Sequence, residues 1–293
     1  MTRRGWALFI SLSIIWGLPY LFIRIGVETL SPFFVVFARV GLAAAILLVI
    51  AIAKGQMQQL KGHWKWVAIF AVVEMVFPFG AITIAEMRIT SSLAALLVAA
   101  VPLMSAFIAW RLGLDHSISR QRLIGLVIGI AGVAALVGID VRGGTLWSVA
   151  LMAITIVGYA FGPIIVAEKL SDAPPLAVIA GSLSIAAIIY APFAILTWPK
   201  HALNLTEWTT IGMLGIVCTA IAFIVFFALV AEVGPARTTV ITYLNPAVAL
   251  ILGVIVLGEA ITPGLIIGFP LVLLGSYLAT RKGNAELEDQ PHA

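Results

Sequence analysis

Glu74 falls near the middle of an apolar run, Trp66 to Ala85, where an ionised carboxylate facing hydrocarbon costs on the order of a few kcal/mol. It has to face protein or water. Two roles fit: a protonatable or cation-binding group in a cavity, or a neutral hydrogen-bonding partner of a neighbouring helix. A second polar signal is Thr238, Thr242 and Asn245, spaced i, i+4 and i+7 along one helix face. Pro246 follows them, cannot donate a backbone hydrogen bond, and so frees the carbonyl of Thr242 one turn earlier. At membrane depth such a carbonyl is tolerated where it is buried in protein or lines water. The stripe suits a polar solute, and it suits interhelical packing by Thr and Asn equally. Trp16, Gly17, Pro19 and Tyr20 in one run, and Thr155, Tyr159 and Pro163 in another, set aromatic groups beside a proline. Small-molecule pockets combine apolar walls with a few polar anchors in this way, and simple packing would use the same groups. Pro19, Pro102, Pro163 and Pro246 are the candidate hinge positions.

The elements that must position these residues are ten apolar runs, each long enough to cross a bilayer. They are Trp6 to Ile23, Phe33 to Ala53, Trp66 to Ala85, Ser91 to Trp110, Leu123 to Ile139, Leu146 to Ala167, Leu176 to Trp198, Trp208 to Ala231, Ala236 to Leu257 and Pro263 to Thr280. Of the 293 residues, 62% are hydrophobic and 10% charged, against roughly a quarter charged in soluble domains. The fold class expected is an all-α integral membrane protein. The formal charge of +4 comes from basic residues scattered singly through connectors, so no nucleic-acid-binding stripe forms. Cys218 stands alone in an apolar run, which rules out a disulfide framework or a cysteine metal site.

Alternating connectors carry twelve Lys and Arg on the side of the N-terminus and four on the other. The positive-inside rule then places both termini in the cytoplasm, with the chain in the plasma (inner) membrane. The first run reads as a retained helix rather than a cleaved signal, and the tail 281–293 reads as disordered. Trp6, Trp64, Trp66, Trp198 and Trp208 near run ends are expected as interfacial anchors. Arg24, Arg39, Glu86 and Arg88 lie toward the external side, where they could form an outer gate or attract an anionic group; a simple ion-pair cluster, with Arg39 snorkelling outward, is the reading expected. Asp115 and Glu259 are expected to serve the connectors that they occupy, ahead of the candidate caps Ser119 and Thr262.

The sequence repeats. Pro19 and Pro163, Pro102 and Pro246, and Asp115 and Glu259 are each 144 residues apart; Gly125 and Gly132 match Gly268 and Gly275 after a one-residue slip. An odd number of runs separates matched positions, so residues 1–140 and 141–280 form two five-helix units of opposite orientation. Such inverted repeats place a site at the midplane between them. Gly125 with Gly129, and Gly264 with Gly268, form GxxxG pairs that call for close helix packing. They hold each half together or form a homodimer seam, and the spacing suits both.

Trp16-Gly17, Pro32, Arg39 and the alanine-rich run after it resemble the opening of the EamA family of the drug/metabolite transporter superfamily. Pro102, Pro246, Gly258-Glu259 and the glycines Gly268 to Gly275 resemble that family's repeated closing pattern. The resemblance covers nearly the whole chain. It implies ten helices as two inverted repeats around a central cavity, and often export of amino acids or other small metabolites.

From the residues themselves, a secondary transporter working by alternating access is expected, with a small organic solute and the lipid bilayer as partners. No cofactor and no metal are expected; proton coupling is expected if Glu74 titrates. A GxxxxGK[ST] phosphate loop is absent, as are HExxH and GxSxG, and all four His lie outside the runs, which argues against an enzyme. A channel would use a similar polar lining, but no repeated filter sequence is present.

Overall fold

The computed structural model describes residues 1–113, 120–140, 146–234, 238 and 240–280, with the side chains of 139 and 140 excepted. Asp115, Ser119 and the tail 281–293 lie outside the described residues, as do parts of the run preceding α9. The described residues form ten apolar helices and no strand. They are α1 (Arg3–Gly26), α2 (Pro32–Ala53), α3 (Trp64–Ala85), α4 (Ser91–Arg111), α5 (Arg120–Asp140), α6 (Leu146–Lys169), α7 (Pro175–Leu196), α8 (Leu205–Val233), α9 (Ile241–Leu257) and α10 (Pro263–Thr280). Nine are long and apolar enough to span a bilayer. The described part of α9 has 17 residues, about 25 Å at the helical rise.

Local chemistry fixes the helix starts. The Thr2 hydroxyl accepts from the Gly5 amide at 2.9 Å, and Asn204 with Glu207 closes a reciprocal capping box at the start of α8. Pro32 and Pro175 stand in first turns, where a missing N–H leaves nothing unsatisfied. Thr262 caps α10 through the Leu265 amide at 3.3 Å.

Contacts between connectors fix the direction of each helix. At one end, here the near end, Thr2 bonds Glu232 at 2.5 Å, His63 meets Asp172 at 3.1 Å, and Tyr243 meets Thr280 at 3.0 Å. At the far end Arg24 donates to the Glu86 carbonyl at 2.7 Å. α1 therefore runs from near to far while α6 runs back, and the first and last described residues sit at the same end. The largest packing contacts join one half to the other: α5 with α10, α2 with α7, α3 with α6, and α1 with α8 and α9. The pairs α3–α6 and α8–α1 exchange when residue numbers shift by half the chain, as a two-fold axis in the membrane plane requires.

The glycines of α5 and α10 work inside this arrangement. A β-carbon on Gly132 would sit 2.6 Å from the Val272 backbone nitrogen, and one on Gly125 would sit 2.5 Å from that of Ala279. Gly275 lies as closely against Gly129. Gly129 also faces Leu103 of α4 in its own half, so within one chain these glycines seal half to half and help hold the first half together.

Candidate functional site

Two helices depart from α geometry, and they do so at matched places. α3 widens to π-helical turns over Ala71–Val76, and α8 does so over Met213–Ile221. The 144-residue shift that relates the halves carries Glu74 onto Cys218 and Phe79 onto Phe223, so the two wide segments occupy matched positions in the two halves. π-Turns inside long helices are uncommon and concentrate at functional sites. In α3 the device is reinforced by Pro78, which has no N–H to give the Glu74 carbonyl.

Glu74 lies against α6. A β-carbon on Gly162 would fall inside its carboxyl group, and one on Gly158 would collide with the Val73 carbonyl and Pro78. Gly158 and Gly162 are four apart, so one bare stripe of α6 admits both the α3 backbone and the acid. Glu74 Oε2 is buried and has no hydrogen-bond partner. The same stretch of α6 presents Thr155, whose hydroxyl lies 3.3 Å from the Pro78 carbonyl, and Tyr159, edge-on to Phe79 with ring centroids 6.5 Å apart. Tyr159 lies within electrostatic reach of both Glu74 and Arg39.

Arg39 does not snorkel. It is 7% exposed, with its guanidinium 4.1 Å above the Phe79 ring and its Nε donating to Thr219 Oγ1 at 3.0 Å. The π-turn of α8 makes that bond: Thr219 spends its own proton on the Leu214 carbonyl five residues back, at 2.7 Å, which leaves a lone pair for Arg39. Gly215 lets α2 come close enough, since a β-carbon there would be 3.2 Å from the Arg39 carbonyl. The sequence-based expectation took Arg39 as external because it lies two turns from the start of α2. The aromatic face of Phe79 and the Thr219 hydroxyl hold it inside instead.

Trp16 joins the same centre from α1, packing on Phe223 and Phe226 of α8 at 6.2 and 5.2 Å. Tyr20, one turn on, is buried and lies within electrostatic reach of Tyr159, Glu86 and Arg39. The structure thus places Tyr20, Glu74 and Tyr159 near one another, with Trp16 packed on Phe223 of α8; it adds Phe79, Thr219 and Phe223, which the sequence did not single out, and brings in Arg39, which the sequence placed toward the external side. The polar stripe of α9 goes elsewhere. Thr238 is buried and donates to the Gly234 carbonyl at 2.9 Å. Asn245, with its amide nitrogen as donor, reaches the carbonyls of Ser13 at 3.2 Å and Ile241 at 3.0 Å, tying α9 to α1 where Gly17 lets the two cross. Thr242 lies partly accessible on the same helix. Of the four prolines, Pro102 follows an interruption of α4 at Ala99 and Ala100, whereas Pro19 and Pro163 lie inside unbroken helices and Pro246 lies buried in α9.

At the far end the expected ion-pair cluster is not formed. Arg24 bonds the Glu86 backbone carbonyl, not its carboxyl, Arg88 is exposed, and Glu86 is fully buried with neither carboxyl oxygen hydrogen-bonded. Glu86 is one residue past the end of α3; burial, then the nearness of Glu259, holds its carboxyl well above the usual carboxylate range. Glu259 itself accepts from the amides of Ser91 at 2.7 Å and Ser92 at 3.0 Å, and from the Ser92 hydroxyl. The second half thereby caps α4 of the first. A cleft of about 240 Å³ lined by Arg24, Glu28, Arg88, Thr90 and Glu259 opens beside this junction. Among the described residues, no group of three His, Cys, Asp or Glu could hold a metal ion.

Ten apolar helices in two oppositely directed sets, with a buried base and a buried acid between them, define a membrane transporter built from inverted repeats. Comparison with known proteins agrees. The EamA-like transporter family matches residues 3–138 and again 146–281, and the chain belongs to that family. The inner membrane transporter YedA of Escherichia coli K12 is 28% identical over 288 residues, covering 94% of this chain and 92% of YedA. The transporter YvbV of Bacillus subtilis is 23% identical, covering 94% of this chain and 91% of YvbV. A solved crystal structure with 20% identity superposes with a TM-score of 0.68 over 96% of this chain and 98% of its own, the same fold.

Proposed function

We propose that the chain is a secondary transporter that exports amino acids or related small organic metabolites across the cytoplasmic membrane by alternating access, with a coupling proton carried by Glu74. Both termini are then cytoplasmic, as the basic connectors favour. The observation that carries this reading is the Glu74 carboxyl: seated on Gly162 at mid-depth, with Oε2 buried and unpartnered, beside the aromatic groups of both halves. One carboxyl that binds either a proton or the ammonium group of a solute cannot hold both, so one enters as the other leaves. With protons driven inward, that exchange moves the solute outward. Trp16, Tyr20, Tyr159, Phe79 and Phe223 supply apolar walls, and the paired π-turns supply helix segments able to change register.

The test is a panel of amino acids and other metabolites assayed for transport in proteoliposomes, with inside and outside pH set independently. Saturable uptake, counterflow and acceleration by an opposed proton gradient are expected. Non-saturable flux without counterflow would instead identify a channel.

A further inference from the structure

We infer that Arg39 forms a carboxylate-binding subsite at the centre of the molecule, so that the transported solute bears a carboxylate group. The inference rests on the reading that a solute occupies the space between the halves, and it names the chemistry that Arg39 would contribute there.

Arginine offers five N–H donors in a planar fork. At Arg39 one is used: Nε is fixed on Thr219, and Thr219 is itself oriented by its bond to the Leu214 carbonyl. Phe79 covers one face of the guanidinium. Among the described residues, Nη1 and Nη2 donate to no protein acceptor, and no acidic group lies within ion-pair distance of the guanidinium. Glu86 is within electrostatic reach, yet both its oxygens lack hydrogen-bond partners, so it does not close the pair. Arg39 is 7% exposed as a whole residue, and a charge so placed without a counter-charge is otherwise unfavourable, because buried charges are held by partners.

The unused donors are also the ones suited to a ligand. With Nε locked, the Nη1 and Nη2 edge is held in a fixed direction, and that edge takes a carboxylate through two parallel bonds. A cation fixed by α2, α3 and α8 together spans both halves, so occupancy by an anion bears directly on how the halves meet. A purely structural arginine would fasten the same helices, but it would not make binding depend on the charge of a solute.

The experiment uses the full-length protein in detergent micelles and in vesicles. Calorimetric titration compares phenylalanine with phenylalaninamide, and 3-phenylpropionate with its amide, for the native chain, Arg39→Gln and Arg39→Lys. Each acid is expected to bind about 10–100-fold more tightly than its amide, the scale of a charge-assisted bidentate bond. Arg39→Gln is expected to abolish that preference and Arg39→Lys to restore part of it, since lysine keeps the charge and loses the fork. A native chain that binds neither acid, or that binds acid and amide alike, overturns the inference even if neither variant folds; so does a folded Arg39→Gln protein that keeps the preference. Acids bound through Arg39 but not moved across vesicles would leave the subsite standing and remove the transport reading. Amino acids moved without discrimination between acid and amide would do the reverse.

Discussion

At the scale of single residues, the central acid was legible and the central base was not. A carboxylate in the middle of an apolar run is visible at once because hydrocarbon forbids it. Arg39, two turns inside α2, looked able to reach the membrane surface, and only the fold shows Phe79 and Thr219 holding it back. Gly162 carries a direct consequence. Adding one methyl group there puts a carbon into the Glu74 carboxyl, so Gly162→Ala should displace the acid and lower transport at least tenfold, while costing about 1–3 kcal/mol of stability as overpacking does; transport per folded molecule together with thermal melting measures both. Glu86 gives a pH test of its own. Its folded-state pKa is raised above the unfolded value, first by burial and then by Glu259, so its contribution to stability is intact below the unfolded carboxylate range and is lost as pH rises through the folded pKa. Glu86→Gln should therefore raise the melting temperature at neutral pH and flatten its decline between acid and neutral pH. An unchanged melting curve across that range would count against a strained carboxyl.

At the scale of helices, existence and order could be read from hydropathy, because runs of about 20 apolar residues have one economical solution in a bilayer. Departures from α geometry could not. The π-turns of α3 and α8 leave no compositional mark except Pro78, and α8 lacks even that. Matched helix faces were partly legible: the GxxxG spacing announced tight packing without saying against what, and the structure sets α5 on α10 across the two halves. Gly275→Leu should therefore destabilise the folded chain, seen as a lower melting temperature in detergent, with no change in oligomeric state by light scattering. Glu259 was read as part of a connector, and so it is, but its carboxylate caps α4 of the other half. Removing that cap by Glu259→Ala should cost about 1–2 kcal/mol, read as an earlier thermal transition.

At the scale of the whole molecule, the internal repeat is the most informative signal, since matched prolines 144 residues apart imply opposed halves on their own. The pairing of α3 with α6 and of α8 with α1 gives that symmetry a physical form, and the two π-turns occupy matched places in it. The polar stripe beside and on α9 takes the packing role that its spacing also allowed: Thr238 bonds the Gly234 carbonyl, and Asn245, with its amide oriented by its surroundings, bonds those of Ser13 and Ile241. Side-chain identity fixes what can be bonded, and tertiary packing decides whether protein or solute does the bonding. The proposed alternating access, with a buried acid and a buried base between the halves, makes one requirement that packing alone does not, namely that solute flux answers to protons. The most direct measurement is accumulation of a labelled amino acid in proteoliposomes under an imposed pH gradient, for the native chain and for Glu74→Gln. Expected is uphill accumulation by the native protein that vanishes in Glu74→Gln while folding and exchange of solute for solute persist; gradient-driven accumulation undiminished in Glu74→Gln would contradict the central role given to Glu74.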